Sequence, residues 1–128
     1  MEWIDEPYWT IAQARDFLLQ NKICMDEELA VDFIRRRVID GKIALTGVRA
    51  QWRGDHQSSF GSRREAVPGI ELIDLIFEAL PDEEFVVAPP GASISTLDQL
   101  PKGIDVLLEG WGALRVRRAD VHALCELP

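Results

Sequence analysis

Residues 10–46 read TIAQARDFLLQNKICMDEELAVDFIRRRVIDGKIALT, and a change of period inside this stretch sets the fold class. Thr10 is placed as a helix N-cap. Its hydroxyl can accept from the backbone N–H three residues on, and Gln13 stands where the reciprocal bond of a capping box originates. Ile11, Ala14, Phe17 and Leu18 follow at helical spacing and make one apolar stripe. The helix should end near Asn21-Lys22, leaving Cys24 and Met25 in a connecting turn. Asp26 is the next cap, and Glu27 and Glu28 fall in the first turn, where negative charge complements the helix dipole. Ala30, Phe33, Ile34 and Val38 form the buried stripe of this second helix, while Arg35, Arg36 and Arg37 include its outer face. Gly41 sits at C′, where a left-handed residue ends a helix without a Cβ clash. From Lys42 the period shortens. Lys42–Thr46 and Val48–Arg53 read as short strands or one bent strand, with Gly47 at the kink.

Working outward, residues 1–9 form an extended arm bearing Trp3, Tyr8 and Trp9. Residues 54–64 are polar and contain Gly54 and Gly61, which predicts an exposed, mobile loop. Pro68–Leu80 suits both a helix and a strand, and its pattern is met best by a short helical turn running into a strand. Phe85–Ala88 is a strand ended by Pro89-Pro90-Gly91, and residues 89–103 form a loop. Ile104–Leu108 and Ala113–Arg117 are strand-like and separated by Gly110-Trp111-Gly112, and a short helix from about Ala119 to Leu124 closes the chain. The expected fold is α+β: two N-terminal helices, a small antiparallel sheet and a short C-terminal helix. No repeat, low-complexity tract or boundary divides the 128 residues, so one domain is expected over residues 1–128.

Hydrophobic residues make up 47% and charged residues 28% of the chain, a globular balance that argues against intrinsic disorder. No apolar run approaches the roughly 20 residues that cross a bilayer. The acidic opening Met-Glu-Trp-Ile-Asp-Glu lacks the basic-then-apolar order of a secretory signal, so a cytoplasmic protein without a membrane partner is expected. Cys24 and Cys125 lie almost a chain length apart and make no disulfide framework. The net charge of −8 is unevenly distributed: −6 over residues 1–34, +6 over 35–64, −9 over 65–114 and +1 over 115–128. A nucleic-acid binder presents a concentrated basic face, because phosphate contacts supply much of its affinity. The acidic total disfavours that role. Only Arg35, Arg36, Arg37, Lys42, Arg49, Arg53, Arg63 and Arg64 offer the material for it, unless they pair with the acidic flanks on folding.

Three fragments carry a family resemblance. Thr10–Leu18 resembles the opening helix of excisionase and MerR-type winged-helix domains. Ile39–Ala44 is similar to the helix end and strand after their second helix, and Leu114–Leu124 to the strand that closes the wing and leads into a helix. The same fragments resemble small bacterial proteins of comparable length. The winged-helix resemblance implies that the helix from about Glu27 to Asp40 occupies the place of a recognition helix, which enters the major groove. Arg35, Arg36 and Arg37 would then touch DNA, with Arg49, Arg53, Arg63 and Arg64 on an enlarged wing-like region. Asp26, Glu27 and Glu28 depart from that pattern, since phosphates would repel the end of the helix that usually reads bases. About sixty residues between the two wing strands are also far more than a simple wing needs.

Reactive chemistry is sparse. Asp55-His56 with Ser58 and Ser59 falls short of a triad, which needs three groups held on a rigid scaffold, and no G-x-S-x-G elbow occurs. His122 and Cys125 share a helical face, but a zinc site needs three or four ligands. Neither G-x-G-x-x-G nor a P-loop is present. Glu71, Asp74 and Glu78 share a face if helical and read as solvated surface. No catalytic, cofactor or metal residue is therefore expected. Trp52 and Trp111 suit core edges, whereas Trp3, Tyr8 and Trp9 must either dock on the domain or serve as interface anchors. The expectation is a small non-catalytic interaction or regulatory module that binds itself or another protein through the aromatic arm or an exposed sheet edge. The alternative is a winged-helix-like DNA-binding regulator that uses residues 35–64.

Overall fold

In the computed structural model, which describes residues 2–53, 58–80, 84–90, 94 and 107–125, both helix caps form as the sequence requires. The first helix, α1 (Ile11–Gln20), opens on a complete capping box. The Thr10 hydroxyl accepts from the Gln13 N–H at 3.1 Å, and the Gln13 side-chain oxygen accepts from the Thr10 N–H at 2.9 Å. The second, α2 (Glu27–Ile39), opens where the Asp26 carboxylate accepts from the Leu29 N–H at 2.8 Å. It is closed by Gly41 at φ +77°, a left-handed conformation that only glycine adopts freely.

The remaining elements are β1 (Tyr8–Trp9), β2 (Leu45–Arg53), β3 (Ser58–Ala66), a 3-10 turn (Gly69–Ile73), β4 (Ile76–Ala79), β5 (Phe85–Ala88), β6 (Leu107–Arg117) and α3 (Arg118–Cys125). The strands form one antiparallel sheet in the order β3-β2-β6-β5-β4, with β1 pairing to the end of β6 through Tyr8↔Arg117 and Trp9↔Val116. The fold class is α+β, as expected, and Pro68–Leu80 does run from a helical turn into a strand.

Three local expectations are corrected. The arm is not extended throughout: Glu2–Asp5 form a 3-10 turn before β1. Much of the anticipated 54–64 loop is strand, since β3 begins at Ser58, where hydrogen bonding to β2 overrides a polar, glycine-containing sequence. Residues 54–57, with Asp55 and His56, lie outside the described residues, as do 104–106 and most of the 89–103 loop. Gly110-Trp111-Gly112 does not break a hairpin but lies inside the single strand β6. A side chain at Gly110 would overlap the carbonyl oxygen of Val87, so glycine is what lets β5 approach β6 there.

A bulge fixes the register of the two central strands. Thr46 faces Arg115 and Val48 faces Gly112, so Gly47 opposes two residues, Ala113 and Leu114. Ala113 takes up the irregularity at φ +49°.

Side-chain alternation divides the sheet into two buried faces. One carries Leu45, Phe85, Val87, Trp111, Leu114 and Val116, which pack with Ile11, Phe17, Leu18, Ile34, Val38 and Val121 of the three helices. The opposite face carries Ala50, Trp52, Val86 and Ala88, packed with Leu80, Ile94 and Leu108. Burial on both faces explains why β5 is an uninterrupted apolar run rather than an alternating one. Among the described residues no helix is long and apolar enough to cross a membrane.

Candidate docking edge and groove

The aromatic arm is tied down. Pairing of β1 with β6 points Trp9 into the helical side of the core, where it is 0% exposed and stacks on Phe17 and His122 at centroid distances of 4.9 and 5.6 Å. Its indole N–H donates to the Trp3 carbonyl at 3.1 Å, and the two indoles meet edge to face at 5.3 Å. The Arg118 N–H donates to the Pro7 carbonyl at 2.9 Å, closing the arm against α3. Strand alternation then leaves Tyr8 outside, half exposed. Of the three residues read as interface anchors, Trp9 has no surface to offer and Trp3 is partly covered. The physical reason is that a two-residue strand suffices to bury every second side chain.

The basic segment is dispersed rather than gathered. On α2, Arg36 pairs with Asp32 at 2.8 Å and Arg37 with Asp40 at 3.1 Å, while Arg35 turns inward and donates to the carbonyl oxygens of Leu72 and Leu75. In β2, Arg49 lies 4.3 Å from the centre of the Trp111 ring and 3.8 Å from Glu71. In β3, Arg64 points to the opposite face of the sheet, where it donates to the Ala113 carbonyl at 2.7 Å and to the Thr46 hydroxyl at 3.2 Å. Lys42, Arg53 and Arg63 are exposed and have no ion pair among the described residues. Glu71 is more than solvated surface: it is half-buried and also accepts from the Trp111 indole N–H at 3.4 Å.

Among the described residues, no group of three or more His, Cys, Asp or Glu is placed to hold a metal ion. His122 lies between Trp9 and Phe17, and its Nε2 is buried without a hydrogen-bond partner among the described residues. Both thiols are free. Burial pushes the Cys24 thiol up from its ordinary value of 9.0, helped by Asp26. Burial and then Cys24 do the same to Cys125, and both thiols sit in or against the core cluster on the helical side of the sheet.

Among the described residues, the geometry does assemble a lightly charged, unpaired sheet edge beside a groove. The strand order of those residues ends on β3, nine residues long, and on β4, four residues long. Three consecutive charges, Arg63, Arg64 and Glu65, guard β3, a common defence against unwanted strand pairing. The outer side of β4 pairs with no strand among the described residues, and Ile76–Ala79 carries a single charge, Glu78, with no lysine, arginine or proline. Leading into it, Ile70, Ile73 and Ile76 are 74%, 58% and 40% exposed. On the helical side, β4 and α2 flank a groove of about 370 Å³ whose apolar lining is Val31, Phe77, Ala79 and Phe85. Arg15, Arg35, Glu27, Glu28 and Asp32 complete it. An exposed sheet edge was anticipated from sequence, but which strand supplied it was not. The spaced isoleucines at 70, 73 and 76 were the available signal, and they also fit a buried helix stripe.

Comparison of the chain with protein-family models, curated proteins and solved structures gave no match.

Proposed function

We propose that this chain is a non-catalytic protein-interaction module whose docking surface is the outer edge of β4 with the adjoining groove. The observation that carries the reading is the contrast between the two sheet edges: β3 carries three consecutive charges, whereas β4 carries a single charge, Glu78, is unpaired among the described residues and is preceded by exposed isoleucines. An extended segment laid along β4 would satisfy the unpaired backbone groups of the edge and send alternate side chains into the groove. Its main chain would supply affinity and the groove specificity. The nucleic-acid reading is less well supported, because the arginines of residues 35–64 are divided between both faces of the sheet and α2, and several already hold acidic or carbonyl partners.

The test uses the full chain as bait in its native extract, beside Ile76→Lys and Arg63→Glu baits. A partner identified by mass spectrometry should be retained by the native chain and by Arg63→Glu, and lost by Ile76→Lys, because a lysine on the open edge blocks strand addition. Recovery of the same proteins on all three baits would contradict the proposal. Duplex-DNA binding measured at two salt concentrations tests the rival reading, for which affinity must fall steeply with salt.

A further inference from the structure

We infer that the occupant of the β4 edge is an extended peptide whose groove-facing side chains are apolar and flanked by a basic residue. This rests on the docking reading above and names the class of partner. The apolar half follows from Phe77, Ala79 and Phe85, which form the sheet side of the groove, with Val31 opposite them on α2. The basic half follows from which charges there are already engaged. Arg15 is held by Asp16 at 3.1 Å and lies over the Phe85 ring, and Arg35 is held by main-chain carbonyls. Asp32 is paired with Arg36. Glu27 and Glu28, in the first turn of α2, are exposed and have no ion pair among the described residues. The carbonyls hold Arg35 without neutralising it, and the lining of Arg15, Arg35, Glu27, Glu28 and Asp32 still sums to −1, with both unpaired carboxylates at the start of α2.

That charge also discriminates against a second copy. Pairing β4 with β4 about a two-fold axis would bring two acidic rims together in molecules of net charge −8. A lysine or arginine on an added strand meets the opposite sign and can lay its aliphatic stem on the apolar lining.

Binding is measured by fluorescence anisotropy with three capped, labelled peptides of equal length: lysine alternating with valine, glutamate alternating with valine, and threonine alternating with valine. The expected order is lysine over threonine over glutamate. Replacing both rim carboxylates (Glu27→Gln with Glu28→Gln) should weaken the lysine peptide about fivefold at low salt and leave the threonine peptide unchanged. Thermal unfolding of that variant checks that α2 survives. Equal binding of lysine and glutamate peptides, or an unchanged affinity in the double variant, overturns the charge assignment while the docking edge stands. If none of the three binds, both the peptide class and the docking edge fall. A dimer in sedimentation that Ile76→Lys dissolves would make the occupant a second copy and refute the proposal.

Discussion

Trp9 and Tyr8 are adjacent in sequence, and the alternation of a strand gives them opposite roles. Trp9 fills the core between Trp3, Phe17 and His122, whereas Tyr8 faces solvent. Trp9→Ala should therefore destabilise the fold by about 3–5 kcal/mol, and Tyr8→Ala by no more than about 0.5 kcal/mol, as read from denaturant midpoints. Equal effects would mean that the arm is not seated in the core. Ala113 poses a second question at this scale, because its left-handed backbone at φ +49° is held by the bulge and by the Arg64 guanidinium on its carbonyl. A β-branched residue tolerates that conformation poorly. Ala113→Val should lose about 1–2 kcal/mol, whereas Ala113→Gly should be neutral or stabilising.

At the scale of elements, the helices were the legible part and the sheet was not. Thr10, Gln13, Asp26 and Gly41 act within one turn of their own position, so their sequence context already contains their partners. Asp26→Ala should accordingly cost about 1 kcal/mol in thermal or denaturant unfolding, through the orphaned N–H groups at the start of α2. Residues 58–64 read as loop in sequence because the hydrogen bonds of β3 come from β2, and nothing in Ser58–Ala66 itself signals that partner. The run Gly110-Trp111-Gly112 reads as a turn in sequence for a related reason. Gly110 serves the close approach of β5, a neighbour more than twenty residues away in sequence, and Gly112 lies against the Phe60 ring of β3. The position of β4 at the end of the described strand order likewise follows from long-range pairing, which no local pattern encodes.

Across the whole molecule, the uneven charge along the chain is only partly cancelled by folding. Arg36, Arg37 and Arg49 find carboxylates, but Lys42, Arg53 and Arg63 on one side, and Glu27 and Glu28 on the other, have none among the described residues. Folding also brings two distant thiols into one apolar region and raises both ionisations, chiefly by burial. A group whose ionisation is raised in the fold lends stability below its ordinary value and loses it as pH climbs through the raised one. The melting temperature should therefore change little from neutral pH up to that ordinary value, 9.0, and fall above it. The fall should be shallower in Cys24→Ala than in the native chain, as followed by circular dichroism. Parallel slopes for the two proteins would remove the thiols from the account.

The two N-terminal helices, their caps, the later change to strand period and hence the α+β class are legible in the sequence, because each depends on residues a few positions apart. Contacts across the fold settle that Trp9 is core rather than anchor, that the arginines scatter over two sheet faces and α2, and that β4 is an edge left unpaired among the described residues. Those outcomes depend on strand order and on which face each strand turns inward, and both are fixed by contacts between residues far apart along the chain.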